Sequence, residues 1–342
     1  MKGSKVLLVV VVLAMLAALI GCAAPAPAPA PAAAPAGGDE PAPAAAPAET
    51  AKKTYKDLVV GYAQLGAESE WRTANTASVK EAAEELGVTL KFSDAQQKQE
   101  NQIKAIRSFI AQKVDVIGVP PVVETGWETV FQEAKDAGIP IILVDRRADV
   151  PEDLYVTYLG SDFVEEGRKA ALEMNKLLPD GGKIVELVGT VGSAPANDRA
   201  KGFREKLNPN IEIIDSQSGD FTRAKGKEVM EAFMKKYGKD IAAVYAHNDD
   251  MALGAIQSIE EYGLKPGSDV KMVSIDAVRG AFQAMVDGKL NVTVECNPLL
   301  GPQFYDLALK VVNGESVPKW IPSEESVYYP DNAAEVLPTR KY

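Results

Sequence analysis

Between residues 56 and 313, short apolar runs alternate with stretches of helical periodicity, and no other feature of the chain restricts its fold so strongly. The first runs are DLVVGYAQ (57–64), VTLKFSD (88–94), VDVIGVP (114–120) and IPIILVD (139–145), each bounded by Gly, Pro or Asp. YVTYLG, KIVELVG, IEIIDSQ, IAAVYAHN, VKMVSIDA and NVTVEC follow. Between them, apolar residues recur at spacings of three and four, as in Val79, Ala82, Ala83 and Leu86, or Ile103, Ile106, Phe109 and Ile110. The same pattern returns with Val229, Met230, Phe233, Met234 and Tyr237, then with Phe304, Leu307, Ala308, Val311 and Val312. Such spacing marks one buried helix face. Strand and helix in strict alternation predict an α/β fold with parallel sheets and crossover helices. The repeating part is about 290 residues long, more than one core usually serves, so two doubly wound lobes are expected.

In open parallel sheets, ligands bind beyond the carboxyl ends of the strands. The polar groups at those ends are therefore the candidate site: Glu68 to Arg72 after the first strand, Asp145 and Arg146, Arg199, Gln217 to Phe221, Asn248 and Asp276. Carboxylates accept from hydroxyl pairs, guanidinia donate in a fixed fork, amides do both, and aromatic rings cover an apolar face. That set suits a monosaccharide.

Catalytic readings are weaker. The chain has one histidine, His247, no Gly-x-Ser-x-Gly and no phosphate loop, and no metal-ligand spacing is recognisable. No cofactor or metal is expected. His247 precedes Asn248, Asp249 and Asp250, where a helix cap at Asp249 with Asp250 on the surface is favoured over an acid–base or two-metal site. Asp145 and Asp276 suggest a glycosidase pair, but neighbouring cations and amides are expected to keep both ionised, which favours binding without turnover. Trp127, in a TGWE turn, is expected in the core. For Trp71, at a loop-to-helix junction, packing and stacking on a sugar are both open. Arg72 and Arg199 are equally readable as surface ion pairs, and Glu68 as a helix-dipole partner.

The N-terminus addresses the chain. Lys2 and Lys5 precede an apolar run of 15 residues (6–20), short of the roughly 20 a membrane span needs. It reads as a secretory signal. Leu19, Ile20, Gly21 and Cys22 resemble a bacterial lipoprotein box, which implies cleavage before Cys22 and its acylation, anchoring the protein to the membrane. Cys296 then has no intramolecular partner for a disulfide. Residues 23–54 are a linker rich in Ala and Pro, able to extend by about 3.1 Å per residue and lift a domain off the membrane. Loss of the leader takes the net charge from −11 to −13, so nucleic acid is excluded as a partner.

Four long stretches carry a family resemblance: QQKQENQIKAIRSFIAQKVDVIG (96–118), ETGWETVFQEAKDAGIPIILVDR (124–146), SQSGDFTRAKGKEVMEAF (216–233) and YAHNDDMALGAIQSI (245–259). They resemble type I periplasmic sugar-binding proteins of ABC importers, and within these the galactofuranose-binding members of the ribose-binding-protein-like group. The likeness covers nearly all of residues 56–335. It implies two similar lobes with three hinge crossovers near 160, 296 and 320, giving a first lobe of 55–160 and 297–320 and a second of 161–296 and 321–342. It also implies a monomer that closes on a sugar and is recognised by membrane permease subunits through polar lobe tips. By matching motif, the implied pocket is Glu68, Trp71 and Arg72 in ESEWR, Asp145 and Arg146 in VDR, Arg199 in NDR, Asn248 in HND and Asp276 in SID, with Phe221 in GDF as a second ring. Ribose binders carry a double Phe after the first strand and an Asn after the third, where this chain has ESEWR and Pro120, so the floor resembles the galactofuranose type. Phe163 departs from an Asn in relatives. Glu295 to Asn297 also depart, and no binding residue is carried over there. A receptor that docks a sensor kinase or chemoreceptor would share the pocket. A repressor's effector domain would need a DNA-binding helix pair where the leader and linker stand.

Overall fold

The structure, a computed structural model, describes residues 52–342. The leader, Cys22 and the Ala/Pro-rich stretch up to residue 51 lie outside the described residues.

Ten strands form where the apolar runs predict them. The first sheet holds β1 (Val59–Gln64), β2 (Thr89–Asp94), β3 (Val116–Val119), β4 (Ile141–Val144) and β5 (Thr157–Leu159). The second holds β6 (Gly182–Val188), β7 (Ile211–Ser218), β8 (Ala243–Ala246), β9 (Lys271–Asp276) and β10 (Val292–Glu295). Two short strands, β11 (Trp320–Ile321) and β12 (Val327–Tyr328), complete them, giving the orders β11-β5-β4-β3-β1-β2 and β12-β10-β9-β8-β6-β7. Among the described residues only β12 pairs antiparallel. Every residue of β3, β4, β8 and β10 is buried, as central strands covered on both faces require, whereas β2 and β7 at the edges are largely half-buried or exposed. The α/β class and the doubly wound lobes are thus borne out.

The helices follow in turn: α1 (Glu70–Leu86), α2 (Gln99–Ala111), α3 (Glu128–Asp136), α4 (Phe163–Leu177), α5 (Ala194–Lys206), α6 (Arg223–Tyr237), α7 (Asp249–Glu261), α8 (Arg279–Val286), α9 (Gly301–Val312) and α10 (Pro330–Val336). Their apolar stripes pack on the sheets. Val79, Ala82, Ala83, Phe304 and Ala308 cover one face of the first sheet, and Ile106, Phe109, Trp127 and Phe131 the other. Trp127 is fully buried, as expected; an apolar side chain of this kind contributes about 1.5–3 kcal/mol. One continuous core serves the second lobe.

Three segments pass between the sheets. The chain leaves the first after β5 and enters α4, returns after β10 to α9, and crosses again between β11 and β12. Ile321 still pairs with Leu159 in the first sheet, so this last crossing lies at 322–326.

Candidate functional site

The carboxyl ends of both sheets face one cavity between the lobes. All nine residues singled out from the sequence line it, joined by Ser69, Phe163, Pro195 and Cys296.

The first lobe contributes a carboxylate–guanidinium group. Ser69 caps α1 by accepting from the Arg72 amide at 3.0 Å, which fixes how Trp71 and Arg72 leave the helix. Arg72 donates through Nε to Glu68 at 3.2 Å and through Nη2 to Asp145. Arg146 lies 3.7 Å from Glu68 and donates to the Val122 carbonyl at 3.1 Å. Burial opposes the charge on Arg72, but the Asp145 and Glu68 carboxylates outweigh it and raise its pKa. Burial, then the charge on Arg72, pull Arg146 down to about 10, so it stays cationic at neutral pH. All of these side chains are buried, so the surface ion-pair reading of Arg72 fails. The Trp71 indole donates to the Cys296 carbonyl at 2.6 Å and carries the Arg72 guanidinium 4.6 Å from its ring centroid. It both packs and lines the cavity.

The second lobe answers with Arg199, Asn248, Phe221 and Asp276. Arg199 donates to Glu166 at 2.7 Å and to the His247 carbonyl at 2.5 Å, and lies 3.4 Å from Asp276. It too is buried, at 3 % exposure, and is no surface residue. Asn248 caps α7 by accepting from the Met251 amide, and one amide hydrogen donates to the Phe221 carbonyl at 3.1 Å, leaving the other uncommitted. Phe221 reaches the cavity over Gly189, where a Cβ would sit inside its ring. Asp145, Phe221 and Asp276 all have positive φ (64°, 61° and 127°), unusual for residues with a Cβ.

Three expectations are corrected. The α7 cap is Asn248, not Asp249; Asp249 is fully buried and accepts from Ser274, Thr293 and the Val278 amide. Asp250 is not on the surface but 5 % exposed, where it accepts from the Glu70 amide at 2.7 Å and from Arg223. Asp276 is not held in the ordinary ionised range. Burial raises its pKa well above the usual carboxylate value, and the pull of Arg199 falls short of it, with Asp249 and Glu166 pushing the same way as burial.

His247 turns away from the cavity: Nε2 is 3.1 Å from Glu186, and burial lowers its pKa despite that partner. It acts by offering its backbone carbonyl to Arg199. Sequence reasoning missed Pro195 and Cys296, which have no polar side-chain signal, and Glu166, whose role depends on a fold-made contact 33 residues away.

The lobes meet on both sides of the cleft. On one side Glu70 and Arg223 join Asp250; on the other Asn197 donates to Glu124 at 2.5 Å, Glu124 donates its amide to Gly192 at 2.9 Å, and Arg147 pairs with Asp198. The arrangement is closed.

A family model described as a periplasmic binding protein domain matches residues 60–316. The galactofuranose-binding protein of Escherichia coli is 51% identical over 293 residues, covering 83% of this chain and 92% of that protein. A crystal structure from Mycobacterium smegmatis in complex with β-D-fucofuranose is 53% identical, with a TM-score of 0.81, covering 83% of this chain and 95% of that one. The binding component of an arabinose ABC transporter from a Shewanella species, bound to α- and β-L-arabinofuranose, is 49% identical, also with a TM-score of 0.81 and with the same coverage.

Proposed function

Since the chain belongs to the periplasmic binding protein family, we propose that it is an extracytoplasmic receptor of an ABC importer that binds a monosaccharide in furanose form. The nine strand-end residues from Glu68 to Asp276 form its ligand set. One observation carries the reading: Glu68 Oε2 and Arg146 Nε are buried at the cavity wall with no hydrogen-bond partner in the protein. An acceptor and a donor left unpaired on one cavity wall call for ligand groups that donate and accept, as sugar hydroxyls do. Trp71, Phe163 and Phe221 supply apolar surface for ring carbons. The furanose-bound relatives, alike over the whole described fold, favour that ring form.

The sugar lies between the lobes, and hinge closure desolvates its hydroxyls. The closed monomer is what the permease subunits recognise, and the two lobes divide at the three crossing segments. Acylated Cys22 and the linker tether it on the outer side of the cell membrane.

Titration calorimetry with galactose, arabinose, ribose, xylose and fructose tests the reading. At least one sugar with an accessible furanose form is expected to bind well below millimolar. Binding of none of them tighter than millimolar overturns it.

A further inference from the structure

Behind the cavity, the three crossing segments converge on one buried spot. Ser161 comes from the first crossing, Cys296 and Asn297 from the second, Glu325 from the third, and Glu166 reaches in from the first turn of α4. One oxygen or sulfur of each of Glu166, Cys296 and Glu325 lies within 4.8 Å of the other two. Glu166 is 1 % exposed, and its two oxygens have different fates: Oε2 accepts from Arg199 at 2.7 Å, whereas Oε1 has no donor among the neighbouring groups as ionised. Glu325 Oε1 accepts from the Ser161 hydroxyl and from the Asn297 amide at 3.2 Å. The same carboxyl stands against Glu166.

Two carboxylates at this distance cannot both stay ionised in a buried site without strong repulsion. A single proton between them removes the repulsion and gives Glu166 Oε1 its missing donor. We propose that Glu166 and Glu325 are a positioning pair sharing one proton: protonated Glu325 donates to Glu166 Oε1, and Glu166 in turn holds the cleft residue Arg199, wiring the hinge to the sugar site. The proposal rests on Arg199 being a sugar ligand.

The other charged or titratable groups facing the pair are Arg199 from α5, Asp276 at the end of β9, the Cys296 thiol, Tyr158 from β5 and Lys169, which donates to the Glu325 carbonyl at 3.1 Å. Burial, followed by the charge on Glu166, pushes Glu325 up to about 9. Burial likewise pushes the Cys296 thiol well up, so it stays protonated and is a poor metal ligand. Arg199 already balances the charge that Glu166 would offer a cation. A shared proton therefore fits the spot better than a metal ion.

The sign follows from linkage. Opening the hinge to water returns Glu325 toward the ordinary carboxylate range near about 4.3, so closing takes up a proton. Closure is then fully favoured at low pH, weakens as pH rises, and levels off above about 9.

Calorimetric sugar titrations on the full-length protein from pH 6 to pH 9.5 test this, with Glu325→Gln and Glu166→Gln beside the wild type. The wild-type Kd should rise with pH by up to about tenfold per unit and level off near 9. Glu325→Gln, which keeps a neutral donor, should bind at least as tightly as the wild type at pH 6 and show a shallower rise, what remains belonging to Asp276. Glu166→Gln should bind more weakly throughout and also show a shallower slope, since burial alone still raises Glu325. A flat wild-type profile, or an unchanged slope in Glu325→Gln, overturns the proposal. Tighter sugar binding on adding zinc, lost in Glu325→Gln, overturns it in favour of a metal site. If no sugar binds at all, the functional reading fails separately, and carbon-13 NMR of the glutamate carboxyls still decides this point in a protein held closed by a short thiol cross-linker between Glu124→Cys and Asn197→Cys, which meet across the cleft. A resonance titrating near 9 and missing in Glu325→Gln supports the shared proton; ordinary titration of both carboxyls refutes it.

Discussion

Asp145, Phe221 and Asp276 sit at the ends of strands or in the loops after them, with positive φ. A turn of that hand lets a side chain leave the strand's alternation and enter the cleft, and the surrounding contacts hold the strain in place: the Tyr158 hydroxyl donates to the Asp145 carbonyl at 2.7 Å, and Asn248 donates to that of Phe221. The residue types were legible in the sequence because a polar or aromatic group closing an apolar run has few structural uses. Their protonation was not. Asp276 looks like any carboxylate beside an arginine until burial and the nearby acids Asp249 and Glu166 are known. Arg146 offers the simplest test at this scale. Its guanidinium is 3 % exposed and has an uncommitted Nε. Arg146→Ala should weaken sugar binding by about 1.5–3 kcal/mol, the range for a hydrogen bond to a charged group. Calorimetry on a variant whose melting temperature shows it folded measures the loss; unchanged affinity removes Arg146 from the ligand set.

Strands were easier to foresee than their neighbours. The buried runs Val116–Val119 and Ile141–Val144 admit little but a central strand, whereas β11 and β12 have two residues each and owe their pairing to the partner strand. The α7 cap was displaced by one residue for a similar reason. Asn248 and Asp249 both cap helices well, and what decides between them is that Asp249 is taken by Ser274 and Thr293 on adjacent strands. Contacts between elements of different lobes were invisible. Arg223 on α6 donates to Asp250 at 2.9 Å and lies 3.6 Å from Glu70 on α1, but its side chain is 45% exposed. Exposed pairs are typically worth about 0.2–1 kcal/mol and are screened by salt. Arg223→Ala should therefore raise the sugar Kd by no more than about fivefold at low ionic strength, with the difference shrinking in molar salt. Paired titrations at the two salt concentrations check it, and an effect that ignores salt would assign Arg223 another role.

On the scale of the whole molecule, the lobes are joined by the three crossing segments and by the polar contacts flanking the cleft. Breaking those contacts leaves each core largely intact, because the buried apolar clusters of the first lobe are separate from that of the second except at Trp71 of α1, which joins the latter. Hinge opening is thus available without unfolding. A compact body of this length has a radius of gyration near about 19 Å. Small-angle scattering on residues 52–342 should show a value close to that with sugar bound and a larger one without it. Identical curves in both conditions would mean that ligand does not drive closure.

The threading of the chain also dictates when each half can finish folding. Tyr62 in β1 packs against Phe304 in α9 with ring centroids 5.4 Å apart, and the Ser78 hydroxyl of α1 accepts from the Gly301 amide, so the first lobe waits for residues made after the whole central part of the second. The second waits longer still, since Arg340 and Tyr342 reach back to Glu295 beside the hinge. The first lobe is complete only once β11 has been synthesised, and the second only once Tyr342 has. A growing chain therefore holds its apolar faces uncovered to the end, and the two halves mature together rather than in the order of their translation.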